Sequence, residues 1–401
     1  MKILVCGCGR IGSPLLTWLA YQNILLGGSN QVEVAGVDID VNIINKKVSA
    51  RFKEKKWDLY LSVLESKKIT PIIYSYNEAA KLGVQDVIII TCGTPLDKNM
   101  NPDTSQVMGA AELLIQNGLI NNNTLIIMRS TMFIGGTSWL RNMLNKDFGI
   151  NPKIVTAPER IAEGYTFQEI TRIPQIIGAD DTVSLELASK FFKQIFGSDA
   201  IITLGPGAGG TKAAEIAKLM CNTWRYIGFS AANEFAILCD EANVDFSAVR
   251  HACNFDYWSC FIPKAALNVG GPCLGKDAQI LGAYSKNAEI TLSAYDTAEK
   301  TATYFANKYK DKIKNGKVGV LGLAFKANSY NPTNSLSFKL IKYLEVLGAD
   351  KIFVDDPNIS HKYSVNNADT VIQNSDIIFI MTEHDEYSDL KFKDNQLVIR
   401  L

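Results

Sequence analysis

The sequence has no excess of charge of either sign. Lysine and arginine number 41 and aspartate and glutamate 41 among 401 residues, and the charged fifth of the chain is spread along it rather than gathered into runs or tails. That leaves no electrostatic footprint for nucleic acid or for an anionic membrane surface as partner. No window approaches the roughly eighteen apolar residues that a membrane span needs. Met1-Lys2 runs straight into Ile3 to Cys6, without the longer apolar core and small-residue cleavage site of a secretory signal. A soluble, cytoplasmic protein is the expectation. Eight cysteines, at 6, 8, 92, 221, 239, 253, 260 and 273, form no Cys-x-x-Cys pair. This argues against a disulfide framework or a zinc site, so no metal is expected. It predicts reduced thiols, buried in apolar surroundings everywhere except at Cys273. Sequence repeats and low-complexity segments are also lacking.

What is present is a recurring pattern of short apolar runs between longer helical ones. Lys2 to Cys6, Glu33 to Val37, Val87 to Thr91, Leu125 to Met128 and Lys153 to Thr156 read as buried parallel strands. Helices fit between them, such as Pro14 to Tyr21 and Thr104 to Asn117. Another opens at Asp180-Asp181, ends near Gly197 and leads into a strand from Ala200 to Leu204. Such alternation predicts an α/β fold with a doubly wound sheet, a first domain over 1–204. The turn Gly205-Pro-Gly-Ala-Gly-Gly210 then punctuates the chain before a helical pattern from Thr211 to about Asn243, too long for one small domain to bury. A central, mainly helical segment over 205–310 is expected, its long helix a subunit contact. From Lys317 strands return at Val318 to Leu321, Ile352 to Val354 and Ile377 to Met381, with a helix from Ser335 to Leu347 closed by Gly348. They predict a smaller Rossmann-like domain over 311–401.

Residues 7 to 12 read Gly-Cys-Gly-Arg-Ile-Gly, directly after a strand and at the head of a helix. Glycines there let backbone N–H groups approach a pyrophosphate while the helix N-terminus supplies a favourable field. The next strand runs into Gly36-Val37-Asp38, whose carboxylate can accept from a ribose hydroxyl and repel a 2′-phosphate, so NAD is preferred over NADP. The spacing to Asp38 is a few residues longer than usual, which an insertion around Gly27-Gly28-Ser29 explains. Thr91-Cys-Gly-Thr94 and Ser130-Thr131 follow strands, where open α/β sheets bind ligands; polar turns are the alternative.

A second set of residues carries chemistry. Cys273 lies in Gly270-Gly-Pro-Cys-Leu-Gly-Lys-Asp277, where glycines expose the sulfur, Lys276 favours thiolate and Asp277 can hold or deprotonate a neighbour. Lys218 and Asn222, four apart on the long helix, share a face and can together polarise a hydroxyl and stabilise an oxyanion; a solvated charged face is the alternative. Glu159 and Glu163 in Ala157-Pro-Glu-Arg-Ile-Ala-Glu-Gly164 are also four apart. One can act as general base if burial raises its pKa, with the other binding water or substrate; a carboxylate pair at a helix start is the alternative.

In this order the segments GCGRIGSP, TCGTP, RSTM, APERIAEG, TKAAEIAKLMCNT, GGPCLGKD, VGVLGLAFK, VDDP and SDIIFIMTEHDEY resemble the UDP-glucose/GDP-mannose dehydrogenase family over nearly the whole chain. The resemblance implies an N-terminal NAD domain, a central helical dimerisation domain, a C-terminal nucleotide-sugar domain and a homodimer. It implies a four-electron oxidation of a sugar CH2OH to a carboxylate, trapped on Cys273 as thiohemiacetal and then thioester. Lys218, Asn222 and Asp277 match the family's polar partners of the nucleophile. Glu159 matches the glutamate tied to thioester hydrolysis and Thr131 a water-ordering threonine. The implied cofactor set is Gly7, Gly9, Arg10, Ile11, Gly12, Asp38, Thr91, Gly93, Thr94, Thr131, Glu163 and Lys276. The implied substrate set is Arg160, Glu163, Lys264, Gly270, Phe325 and Lys326, cations and N–H groups being what a pyrophosphate needs.

This sequence departs from the family at three places. Thr333, in Asn331-Pro-Thr-Asn-Ser335, replaces a phosphate- or sugar-facing arginine. Tyr257 aligns where many members carry an arginine that reaches the neighbouring subunit's substrate, and Asn268 stands where a loop glycine is common. Lys276-Asp277 resembles the UDP-glucose and GDP-mannose branches, whereas Pro158 to Glu163 resembles branches that oxidise N-acetylated UDP-hexosamines; the balance favours UDP-glucose. Rival readings are a single-step β-hydroxyacid dehydrogenase, which needs neither Cys273 nor a second Rossmann-like domain, and a catalytically silent nucleotide-sugar-binding regulatory protein, suggested by the missing arginines.

Overall fold

The computed structural model describes residues 1–25, 32–49, 55–197, 201–359, 363 and 366–401. The insertion around Gly27-Gly28-Ser29 and Ala200, the first residue of an expected strand, lie outside the described residues. The chain divides into two compact units, Met1–Leu219 and Met220–Leu401.

Unit 1 is built on a nine-stranded sheet. Its strands are β1 (Lys2–Cys6), β2 (Glu33–Val37), β3 (Lys46–Lys47), β4 (Ile72–Tyr74), β5 (Val87–Ile90), β6 (Leu125–Met128), β7 (Lys153–Thr156), β8 (Gln175–Gly178) and β9 (Ile201–Leu204), in the order β3-β4-β2-β1-β5-β6-β7-β8-β9. Neighbours are parallel except β3 with β4 and β7 with β8. Strands buried on both faces need apolar residues at every position, and β1 shows how they are shared. Ile3 and Val5 enter one core with Leu15, Trp18 and Phe192, whereas Leu4 and Cys6 enter the other with Ile88, Val107, Leu114 and Ile126. From β1 the chain moves outward to β2 and β4 on one side, then returns to β5 and β6 on the other. That reversal opens a crevice at the carboxyl ends of β1 and β5, where open α/β sheets take ligands.

Helix Gly210–Glu241, 32 residues and so about 48 Å long, crosses the division between the units at Leu219/Met220. Met220 (56% exposed), Trp224 (76%), Phe235 and Leu238 leave an apolar stripe on its surface at helical spacing.

Unit 2 continues with helices Phe246–Asn254, Leu274–Tyr284 and Glu289–Lys308 and then a four-stranded parallel sheet, order β11-β10-β12-β13. These strands are β10 (Lys317–Leu321), β11 (Lys351–Asp355), β12 (Ile377–Ile380) and β13 (Leu397–Ile399). Phe305 of helix Glu289–Lys308 joins Val318, Val320, Leu340 and Phe379 in the core on one face of this sheet, so the helical segment and the small sheet fold as one body.

Candidate active site

In unit 1 the loop Gly7–Gly12 joins β1 to helix Gly12–Leu25. Gly7 has φ +91°, and a Cβ on Gly12 would stand 2.0 Å from the Gly7 carbonyl oxygen, so the turn closes only because both are glycine. Thr91, just after β5, donates its hydroxyl to that same carbonyl at 2.6 Å. Above Gly9, by contrast, a Cβ would meet nothing within 4 Å. Asp38, just past β2, accepts from the Cys8 N–H at 2.6 Å and from the N–H groups of Ile39 and Asp40. Its carboxylate is therefore fixed at the mouth of the loop. Gly7, Gly9, Asp38, Thr91 and Gly93 line one cavity of about 500 Å³ together with Tyr76, Cys92 and Gln106. Open backbone beside a helix N-terminus, with a carboxylate one strand away, fits a dinucleotide.

Other residues expected at this end make contacts of their own. Arg10 reaches Glu163 with an ion pair of 2.9 Å. Ile11 and Gly12 form the turn into the helix, and Thr94 is buried and donates to the Thr131 carbonyl at 2.6 Å. Arg160 donates its guanidinium to the Pro174 carbonyl.

Glu159 follows β7 and lies beside Arg129, which follows β6. The Arg129 guanidinium donates through Nε (3.1 Å) and Nη2 to Glu159 Oε2, while Oε1 accepts from the N–H groups of Arg160 (2.9 Å) and Ile161 (3.0 Å). Burial alone pushes this carboxyl up. The charge and hydrogen bonds of Arg129, the Ile161 N–H and the charge of Lys218 more than offset it, so Glu159 is held below the ordinary carboxylate range. The condition set for a general base, a pKa raised by burial, is therefore not met at Glu159. Lys218 and Asn222 are both buried, which removes the alternative of a solvated helix face.

In unit 2, Cys273 is the exposed N-cap residue of helix Leu274–Tyr284, and its carbonyl accepts from the Asp277 N–H at 2.9 Å. The residue therefore stands at the positive end of an eleven-residue helix. Lys276 Nζ lies 2.8 Å from the buried Asp277 carboxylate, a charge contact without hydrogen-bond alignment. The other Asp277 oxygen accepts from the Asn222 carboxamide at 2.6 Å. Asn222, Asp277 and the Cys273 turn are thereby one connected group.

The divergent loop packs against that turn. Asn334, at φ +53°, accepts from the Gly271 N–H at 3.0 Å, a Cβ on Gly270 would lie 2.5 Å from the same Asn334 carbonyl, and one on Gly271 would lie 2.4 Å from the Phe325 ring. Asn268 explains its own departure from glycine. Its carboxamide donates to the Ala324 carbonyl at 2.8 Å, lies 2.9 Å from Ser335 Oγ and 3.1 Å from Thr382 Oγ1, and accepts from the Leu336 N–H at 2.8 Å. Phe325 is thus tied to the nucleophile loop, with Lys326 next to it in sequence. Nearby, Asp356 accepts from the N–H groups of Leu323 and Ala324, and His384 Nε2 lies 3.1 Å from it. Lys264 is exposed and pairs with Glu383 at 3.0 Å.

Arg129, Tyr76, Gln106, Asp356 and His384 are site neighbours that sequence reasoning misses. Arg129, Asp356 and His384 lie inside the motifs Arg129-Ser-Thr-Met, Val354-Asp-Asp-Pro357 and Ser375 to Tyr387 and so carry a signal that could have been pursued; Tyr76 and Gln106 carry none. The expectation of seven buried cysteines is also corrected. Cys6 and Cys8 are buried, Cys221 is exposed beside Met220 and Trp224 on the long helix, and Cys92, Cys239, Cys253 and Cys260 are half-buried. Apolar neighbours in sequence do not decide which way a helical residue faces.

Three family models match the chain: the NAD-binding domain of the UDP-glucose/GDP-mannose dehydrogenase family over 1–196, its central domain over 212–303 and its UDP-binding domain over 319–399. A UDP-N-acetyl-D-mannosamine dehydrogenase of Methanocaldococcus jannaschii is 28% identical over 98% of this chain and 88% of its own length. The solved structure of a UDP-D-ManNAc dehydrogenase from Pyrococcus horikoshii superposes with a TM-score of 0.84 at 26% identity, covering 98% of this chain and 91% of that one. A UDP-glucose dehydrogenase from Pyrobaculum islandicum shares the fold with a TM-score of 0.83 at 22% identity, covering 99% and 93%.

Proposed function

Because the chain belongs to the UDP-glucose/GDP-mannose dehydrogenase family, as an NAD-dependent nucleotide-sugar dehydrogenase, we propose that it oxidises the terminal CH2OH of a UDP-N-acetylhexosamine to a carboxylate. The relatives named for an N-acetylated sugar, at 28% and 26% identity over nearly the whole chain, move the balance away from UDP-glucose. The Pro158 to Glu163 segment agrees with them, and the Lys276-Asp277 pair that favoured UDP-glucose does not outweigh both.

The observation that carries the chemical reading is Cys273 at the positive end of its helix, with the buried Asn222–Asp277 hydrogen bond four residues along. When bound, NAD accepts the hydride that leaves the sugar carbon in each of two oxidations. Lys218 and Asn222 polarise the hydroxyl and steady the charge that develops on its oxygen. Cys273 bonds to the half-oxidised carbon, so that the aldehyde is held as a thiohemiacetal between the oxidations and as a thioester after them. Asp277 orients Asn222, and Glu159, with Thr131, directs water onto the thioester. Gly270, Phe325 and Lys326, with Arg160, Glu163 and Lys264, are the proposed substrate contacts. Gly7 to Gly12, Asp38, Thr91, Gly93, Thr94, Thr131, Glu163 and Lys276 are the proposed cofactor contacts.

A second copy of the chain is proposed to cover the Met220, Trp224, Phe235 and Leu238 stripe, giving a homodimer of about 88 kDa from the 44.1 kDa chain. Light scattering on a sizing column checks it, and a 44 kDa species at micromolar concentration would remove it. The substrate reading is tested by kcat/KM for UDP-N-acetylmannosamine, UDP-N-acetylglucosamine, UDP-N-acetylgalactosamine, UDP-glucose and GDP-mannose. An N-acetylated sugar should lead by at least about tenfold, the difference one well-placed polar group supplies; a lead for UDP-glucose overturns it.

A further inference from the structure

We propose that Arg129 is a positioning residue for release of the acid, holding the Glu159 carboxylate in the orientation and charge state in which it acts on water. This rests on the reading of Glu159 given above and adds a residue to it.

The geometry is specific. β6 and β7 are parallel neighbours with Met128 opposite Thr156, so Arg129 and Glu159 leave the sheet at the same edge, and the Glu159 N–H donates to the Arg129 carbonyl at 3.2 Å. The guanidinium is 1% exposed and sends two of its three nitrogens to one carboxylate oxygen. Its third, Nη1, donates to Gln175 Oε1 at 3.0 Å, and the Gln175 amide is in turn held by the Ile173 carbonyl at 2.9 Å. Arg129 is therefore locked from behind by a neutral group and faces one anion. A buried ion pair often adds nothing to stability over an apolar filling, so stability alone does not account for this one.

The reason lies in the protonation of Glu159. Without compensating charge a carboxyl 11% exposed takes up a proton more readily, and a protonated carboxyl cannot accept one from water. The charged groups facing Glu159 are Arg129 and, from the long helix, Lys218; the burial they offset would otherwise raise it. In the hydrolytic step the water oxygen bonds to the thioester carbonyl carbon and one water proton moves to the Glu159 carboxylate. The C–S bond breaks with its electron pair on the Cys273 sulfur, the product acid ionises to solvent, and no electron is gained or lost.

The test uses the full chain with NAD and UDP-N-acetylmannosamine, following NADH by stopped flow and the quenched protein by intact mass. Arg129→Met is expected to keep a burst of two NADH per chain, then turn over about 100-fold more slowly than wild type, the scale of a lost acid–base contribution. The acyl group should accumulate on Cys273 and be discharged by hydroxylamine. Arg129→Lys should recover part of the rate, with the acid limb of kcat moved to higher pH because its cation is less well aligned. The double variant Arg129→Met/Glu159→Gln removes both charges of the ion pair, so it should fold like wild type and still stall after the burst. Turnover of Arg129→Met within about threefold of wild type overturns the proposal, as does loss of burst and turnover together in both Arg129→Lys and the double variant. If wild type makes NADH with UDP-glucose instead, the substrate reading falls and Arg129 is judged by the same burst on that sugar. Absence of any thioester in wild type with every sugar overturns both.

Discussion

Replacing Asn268 by glycine, the residue its family position commonly holds, should destabilise unit 2 and weaken nucleotide-sugar binding together. The side chain is buried and its Oδ1 is the acceptor for the Leu336 N–H, which has no other acceptor among the described residues. The Ala324 carbonyl loses the Asn268 amide but keeps the Thr382 hydroxyl, and Ser335 keeps Ser337. One orphaned buried N–H costs about 1–3 kcal/mol, and the added backbone freedom of glycine up to about 1 kcal/mol. A total loss of about 1–4 kcal/mol lowers the melting temperature of a unit this size by roughly 2–16 °C. Asn268→Asp should do no better, because its second oxygen would face the Ala324 carbonyl oxygen. The assay is scanning calorimetry of both variants beside wild type, with isothermal titration of UDP. Since Ala324 precedes Phe325, UDP affinity should fall several-fold while NAD affinity stays. Melting within about 2 °C of wild type in both variants, with unchanged UDP binding, would refute the idea that this carboxamide joins the two loops.

Cys273→Ser should abolish acid release and leave NAD binding intact, read by NADH production and cofactor titration; undiminished acid would remove the thioester. Asp38→Ala should narrow the preference for NAD over NADP by about tenfold or more in binding titrations, since the 2′-phosphate loses its repelling charge; an unchanged ratio moves the ribose contact elsewhere. Gly12→Ala puts a methyl group 2.0 Å from the Gly7 carbonyl oxygen and should abolish NAD binding; retained affinity would contradict the tight turn. Burial pushes Asp356 up, but the hydrogen bond and charge of His384 and the N–H of Ala324 outweigh it and hold the carboxyl below its ordinary value. A depressed carboxyl contributes stability above its unfolded value near 4 and loses it as pH falls through the folded one. Asp356→Asn should therefore be less stable at pH 7 and show a shallower loss on acidification, measured by denaturant unfolding from pH 7 to 3.

Much of the fold is legible in the sequence because its central strands are continuous apolar runs. Lys2 to Cys6, Glu33 to Val37, Leu125 to Met128 and Lys153 to Thr156 coincide with strands residue for residue. β4, β8 and β13 escape because three- or four-residue runs such as Gln175–Gly178 differ little from loop sequence, and only pairing with a neighbour makes them strands. At the site, residues that act through backbone or helix position are readable: the glycines at 7, 9 and 12, and the Lys218/Asn222 spacing. Those defined by distant partners are not. Arg129 meets Glu159 across 30 residues, and Asn268 meets Thr382 across 114. Reading Glu159 from burial alone gives the wrong direction for its pKa, since the sign is set by a guanidinium that the local sequence does not show.

The central claim, a four-electron oxidation held on one cysteine, is tested most directly by counting NADH against acid. Purified protein is incubated with NAD and UDP-N-acetylmannosamine, NADH is read by absorbance and the uronic acid product by mass spectrometry. Two NADH per acid, with no free aldehyde captured by semicarbazide, is the predicted result; one NADH per product, or aldehyde released to the trap, would contradict it.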